Sequence, residues 1–119
     1  MAHDSVARPL IWLGDSLEQV RDFPEEARRE IGMALYEAQT GGKAPSAKPF
    51  KGVGSGVFEI AVRFNKDAYR VVYAVQIGAK MYVLHAFQKK SKHGIATPKQ
   101  DVDLIKQRYQ RAQEMEKQA

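Results

Sequence analysis

The sequence reads as an α+β chain: a small, antiparallel-rich sheet in the order β-α-α-β-β-β-α, packed against N-terminal helices and a C-terminal helix. Three observations carry this. Residues 57–64 and 69–77 alternate apolar and polar side chains, the period of a strand with one covered face. Ala27, Ile31, Leu35 and Ala38, and later Val102, Ile105, Tyr109 and Ala112, recur at the spacing of one helical face. Glycine and proline gather between these stretches, as connectors require.

Taken in order, Leu10-Ile11-Trp12-Leu13 is a short apolar run between Pro9 and Gly14 and suits a strand. Asp15 or Ser16 can cap a short helix through Leu17, Val20 and Phe23, which must stop before Pro24 because the residue preceding proline disfavours α geometry. A longer helix spans residues 24–39, with Glu25 and Glu26 at its positive N-terminal end. Gly41-Gly42 ends it, and GGKAPSAKPFKGVGSG has no period and reads as a loop. VFEIAVRF and YRVVYAVQI then form a hairpin around Asn65-Lys66-Asp67-Ala68, and a Gly78-Ala79 turn leads into KMYVLHAF, the third strand of a meander. Thr97 as cap, Pro98 in the first turn and Gln100 closing a capping box start the last helix. The EMEKQA tail is expected to fray, so residues 1–119 read as one domain with loose ends at about 1–7 and 114–119.

Of the 119 residues, 44% are hydrophobic and 28% charged, enough to build a core and too apolar for a disordered chain. The absence of cysteine excludes disulfides, thiolate metal sites and thiol nucleophiles, and fits the reducing cytoplasm. No stretch approaches the ~20 apolar residues that span a bilayer, so no membrane association is expected. Three scattered histidines give no metal-ligand spacing, and no cofactor is implied. A net charge of +5 favours polyanionic partners, nucleic acid above all.

The charges fall together once the strands are paired. Matching the apolar faces of the first hairpin sets Phe64 opposite Tyr69, Val62 opposite Val71, and therefore Arg63 opposite Arg70. Two like charges on one sheet face call for an acid or an anionic ligand, and Glu59 is the nearest acid. A two-residue turn at Gly78-Ala79 carries His85, Phe87 and Lys89 to the arginine face. The run Lys89-Lys90-Ser91-Lys92-His93 follows at once. RNA cleavage through 2′-hydroxyl attack needs a proton acceptor, a proton donor and positive charge over the phosphorane. Arg70 and Arg63 suit the last role, and His93 or a lysine such as Lys90 the proton transfers. Lys89, Lys92, Lys66 and Lys51 are further phosphate contacts and Phe87 a stacking surface for a base, whereas mid-strand His85 reads as structural.

The helix followed by Gly-Gly and a Lys/Pro loop, VFEIAVRF, AYRVVYAV, VLHAFQKKSKHG and TPKQDVDLIKQR together resemble the RelE/HigB superfamily of bacterial toxins, in particular its phage-derived HigB-like branch, over residues 8–113. The resemblance implies a RelE-like fold. It also implies the toxin of a type II toxin–antitoxin pair, which enters the ribosomal A site, cleaves mRNA there without metal, and is held inactive by a helix-turn-helix, HigA-like antitoxin. Arg70 in AYRVVY then corresponds to the family's phosphate-stabilising arginine, Lys90 to a position at or beside a second active-site cation, and Arg63 to a basic residue ending the preceding strand. Two departures stand out. Glu59 occupies a place where RelE-like members carry a reactive lysine, and no tyrosine follows the basic run. The same scaffold also serves ParE-like inhibitors of DNA gyrase, which need no cleavage chemistry, and an inactive prophage remnant that only binds its antitoxin is a third reading.

Overall fold

The computed structural model describes residues 7–89 and 97–118. Its elements are β1 (Leu10–Trp12), α1 (Ser16–Arg21), α2 (Glu25–Gln39), β2 (Ala47–Pro49), β3 (Val57–Phe64), β4 (Asp67–Ile77), β5 (Lys80–Lys89) and α3 (Lys99–Lys117). The strands form one sheet in the order β1-β5-β4-β3-β2. Every pairing is antiparallel except β1 with β5, where Leu10, Ile11 and Trp12 run parallel to Met81, Tyr82 and Val83. Among the described residues no helix is long and apolar enough to cross a membrane.

Each sheet face buries its own cluster. On one, Ala27, Ile31, Leu35 and Ala38 of α2 and Val20 of α1 meet Ile60, Val62, Tyr69, Val71, Tyr73, Met81 and Val83. On the other, Ile105 and Ala112 of α3 meet Val57, Val72, Ala74, Tyr82, Leu84 and Phe87. Ile31 and Ile105 are fully enclosed. Each such side chain gains about 1.5–3 kcal/mol by leaving water, which makes helix docking rather than helix propensity the main source of order here. Helix α2 begins after Pro24 and ends where Gly41 takes φ 97°, a left-handed turn that glycine adopts without a Cβ penalty.

Four expectations change. The hairpin closes on Asn65-Lys66 alone, at φ 52° and 74°, so Phe64 pairs with Asp67, Val62 with Tyr69, Ala61 with Arg70 and Arg63 with Ala68. The offset from the expected register is two residues, which moves partners along the strand without exchanging faces. The loop after α2 contains β2, paired with Phe58, Glu59 and Ile60; it is an edge strand, where Pro49 is tolerated because no further ladder bond is needed. Thr97 does not cap α3: Pro98 stands at the cap position without a side-chain bond, and its carbonyl accepts from Asp101 N and Val102 N. The C-terminal stretch is helical through Lys117, anchored where Glu116 accepts from Tyr82 Oη at 2.9 Å and Lys80 Nζ at 3.4 Å.

The second hairpin follows the expected register at its ends, with Ile77 opposite Lys80, Val72 opposite His85 and Arg70 opposite Phe87. Two irregularities between them offset each other, one at Val72/Tyr73 and one between Ala74 and Ile77. The first leaves Leu84 as an extra residue, so Leu84 and His85 both serve the α3 side. The second turns Ile77 into the α3-side cluster, away from the face that Tyr69, Val71 and Tyr73 share.

Candidate functional site

Helix α3 lies over β5 and β4 and leaves the β3 side of the same face less covered. Glu59 and Ala61 on β3, and Ala68 and Arg70 on β4, are only half-buried there, and Arg63 is exposed. Strand pairing brings Arg63, Ala68 and Lys89 side by side at one end of the sheet, with Arg70 and Phe87 one step further in. Lys66 sits exposed at the tip of the adjoining turn. The cationic end of the sheet is therefore assembled from β3, β4 and β5, as expected, but with the two arginines diagonal rather than opposite.

An ion pair occupies its centre. Arg70 Nη1 donates to Glu59 Oε1 at 2.9 Å, and both side chains are mostly withdrawn from solvent, at 20% and 14% exposure. Glu59 sits diagonally from Arg70, two positions along from the directly opposed Ala61, a separation that long side chains span. The contact is one-point: Glu59 Oε2 and Arg70 Nε are buried and accept or donate no hydrogen bond. An orphaned buried polar atom costs about 1–3 kcal/mol, so the arrangement is not one that stability alone would favour.

Phe87 is 8% exposed and belongs to the α3-side core, its ring stacked on His85 with centroids 5.0 Å apart. It is thus a wall beneath the site, not an open platform. Lys51 stands apart: Phe50 N bonds to Val57 O at the start of β3, roughly 20 Å along the strand from Arg63. Arg63 also borders a cleft of about 350 Å³ with Glu26, Arg29, Glu30 and Met33 of α2. Lys90, Lys92 and His93 lie outside the described residues. Among the described residues, no cluster of His, Cys, Asp and Glu could hold a metal ion.

A second polar cluster went unread in the sequence. His85 is 5% exposed; its Nε2 lies 2.7 Å from Asp101 Oδ1 and its Nδ1 3.2 Å from Arg108 Nη1. A guanidinium can only donate, so Nδ1 accepts and the ring proton sits on Nε2, donated to Asp101. Arg108 further donates to Leu84 O and to Asp15 Oδ1, both at 3.0 Å. Burial alone would raise the Asp15 pKa, but the hydrogen bond and charge of Arg108, with Gln19, hold it below its ordinary 3.8. The signal was present: Asp101, Ile105, Arg108 and Ala112 follow a four-three-four spacing, so the two charged residues lie on the buried face of α3. His85 is structural, as its mid-strand position indicated.

Residues 18–110 match the family model described as "Phage derived protein Gp49-like (DUF891)". Among solved structures, the chain is similar to the isolated Escherichia coli RelE toxin, with 20% identity, a TM-score of 0.56, and 75% of this chain and 89% of that one covered. It is likewise similar to a double arginine-to-alanine mutant of E. coli RelE in the free state, with 17% identity, a TM-score of 0.59, and 89% and 98% coverage. No curated protein matches the chain. The five-stranded sheet with its flanking helices is thus a RelE-like α+β fold, and the chain belongs to the Gp49-like family of phage-derived proteins.

Proposed function

We propose that the protein is the toxin of a type II toxin–antitoxin pair and acts as a metal-independent, ribosome-dependent mRNA endoribonuclease in the cytoplasm, held inactive by a cognate helix-turn-helix antitoxin. The observation that carries this is the cationic end of the sheet: Arg70 on the open half of the α3-side face, with Arg63, Lys66 and Lys89 around it. Arginine is the side chain best suited to a phosphodiester passing through a dianionic transition state, because its planar fork meets two oxygens at once. The family membership and the RelE-like fold support the same reading. In this reading Arg70 stabilises the phosphorane, Arg63, Lys66 and Lys89 hold flanking phosphates, and the Lys90–His93 run supplies further positive charge and the proton for the leaving group.

The test is brief induction in cells followed by mapping of transcript 5′ ends. Cuts inside translated codons are expected for the native protein, with a loss of at least about 100-fold for Arg70→Ala at equal soluble yield. Growth arrest with intact transcripts and new DNA breaks would replace the nuclease with a gyrase inhibitor. No arrest, with the antitoxin still bound, would leave only the remnant.

A further inference from the structure

Where α2 ends, Arg8, Ala38, Lys43, Phe58, Tyr73 and Val75 enclose a cleft of about 350 Å³, at the small end of the range for small-molecule sites. It lies on the α2 side of the sheet, where Tyr73 packs with Val71 and Val83, and so on the opposite face from Arg70. Its back wall is the stacked pair Phe58 and Tyr73, with ring centroids 5.7 Å apart. Tyr73 is 1% exposed, yet its hydroxyl makes no hydrogen bond to the described residues, although buried tyrosines ordinarily find a partner. Among the described residues, the fully buried side-chain atoms without a partner are Glu59 Oε2 and Arg70 Nε. Tyr73 Oη is therefore not sealed in and keeps a point of access to the cleft. Burial holds its proton in place up to about pH 12, so at neutral pH the hydroxyl is a donor without an acceptor.

Two cations stand beside it. Arg8 Nη1 donates to Val75 O and Lys43 Nζ to Ala47 O, both at 3.0 Å. Each keeps donors to spare, and among the described residues neither forms an ion pair. Capping α2 does not account for these side chains. Tyr36 O, Glu37 O and Ala38 O already accept from Thr40 N, Gly42 N and Gly41 N, and Gln39 O accepts from the backbone N–H of Arg8. Against the two charges stand Glu37, packed over Gly42, and the negative end of α2, equivalent to about half a charge. The balance accommodates one negative charge and disfavours a dianion. An acceptor-only group with two oxygens matches these donors, and Phe58 and Val75 offer apolar surface to whatever carries it. We propose that the cleft binds a small monocarboxylic acid in its ionised form, its carboxylate held by Arg8, Lys43 and the Tyr73 hydroxyl and its apolar body against Phe58 and Val75. The site stands apart from the nuclease reading, since none of these residues lies on the Arg70 face.

The test is a titration of the full chain, followed in amide correlation NMR spectra at pH 8, where inorganic phosphate is mostly a dianion. The probes are acetate, hexanoate and 3-phenylpropionate, with 3-phenylpropionamide and inorganic phosphate as controls. At least one acid should shift the amides of Gly41, Gly42, Lys43, Tyr73 and Val75 saturably, with a millimolar dissociation constant. The amide and phosphate should bind at least about tenfold more weakly. Tyr73→Phe keeps the ring and removes the donor, and Lys43→Met keeps the stem and removes the charge; each should weaken binding about tenfold. No saturable shift from any of the three acids would overturn the proposal, as would equal binding by the amide, by phosphate or by both variants. Shifts centred on Arg63, Arg70 and Lys89 would also overturn it, because they would report general attraction to the cationic end of the sheet. If the spectrum of Tyr73→Phe shows a chain that has not folded, Lys43→Met, in an exposed loop position, decides.

Discussion

Arg108→Leu should destabilise the protein by about 3–4 kcal/mol while leaving the chain able to fold in the cold. Leucine keeps much of the side-chain bulk but removes three bonds, to Asp15 Oδ1 and Leu84 O at 3.0 Å and to His85 Nδ1 at 3.2 Å. The Asp15 carboxylate is 45% exposed, and its share is discounted to at most about 1 kcal/mol. The Leu84 carbonyl and His85 Nδ1 are enclosed, and each loses its partner at about 1–3 kcal/mol. For a chain of this size, 1 kcal/mol shifts Tm by about 4 °C, so the midpoint should fall by roughly 12–16 °C. Urea unfolding at pH 7 and calorimetry measure both numbers. Acid supplies a second signature. The folded Asp15 pKa is depressed below 3.8, so its contribution is present above that value and is lost as pH falls through the lower folded pKa. The native protein should lose this contribution below about pH 4, and the variant should not show that part of the slope. A loss under about 1 kcal/mol, or an unchanged acid slope, would refute the view that Arg108 ties α3 to β5 and α1.

Three further outcomes follow from the same geometry. Gly14→Ala should cost more than about 1 kcal/mol, because Gly14 holds φ 55° and an added Cβ would lie 2.5 Å from the Arg108 guanidinium carbon; denaturation of the double variant should show less than additive loss with Arg108→Leu. Burial pushes the Tyr73 hydroxyl up to about 12, so its contribution is complete below the unfolded value near 10 and fades as pH rises toward 12; the urea midpoint should fall less between pH 9 and 11.5 in Tyr73→Phe than in the native protein. Replacing Lys89, Lys90 and Lys92 together by alanine should reduce the slope of log affinity for ribosomes against log salt by about 2, and an unchanged slope would remove them from the phosphate contacts.

The strands that build the site were legible because each buries one face, so VFEIAVRF, YRVVYAVQI and KMYVLHAF carry their period openly. The register of the first hairpin was not. Asn65-Lys66 makes a tight two-residue turn with both φ values positive, yet lysine stands where such turns usually announce themselves with glycine. The faces survived the error because it was even. Strand β2 escaped notice because three edge residues, one of them proline, have too little pattern to register. The Glu59–Arg70 pair was anticipated as a need for negative charge near the arginines, while its buried, unpaired oxygen depends on side-chain geometry that no spacing encodes. Arg108 was hidden for a different reason: on a helix rich in cations, a buried guanidinium looks like its solvated neighbours.

The parallel seam between β1 and β5 also bears on how the molecule comes into being. Leu13 N and Ser16 Oγ both reach the Val83 carbonyl, the latter across 67 residues of chain. Such a contact closes late, since the whole intervening loop must be ordered first. During synthesis the first strand therefore waits for β5 to leave the ribosome, and the arginine-bearing hairpin stays without its inner neighbour until then. A nascent chain that stalls before β5 has no seam and no finished cationic face, so the sheet completes its working surface only once β5 has been made.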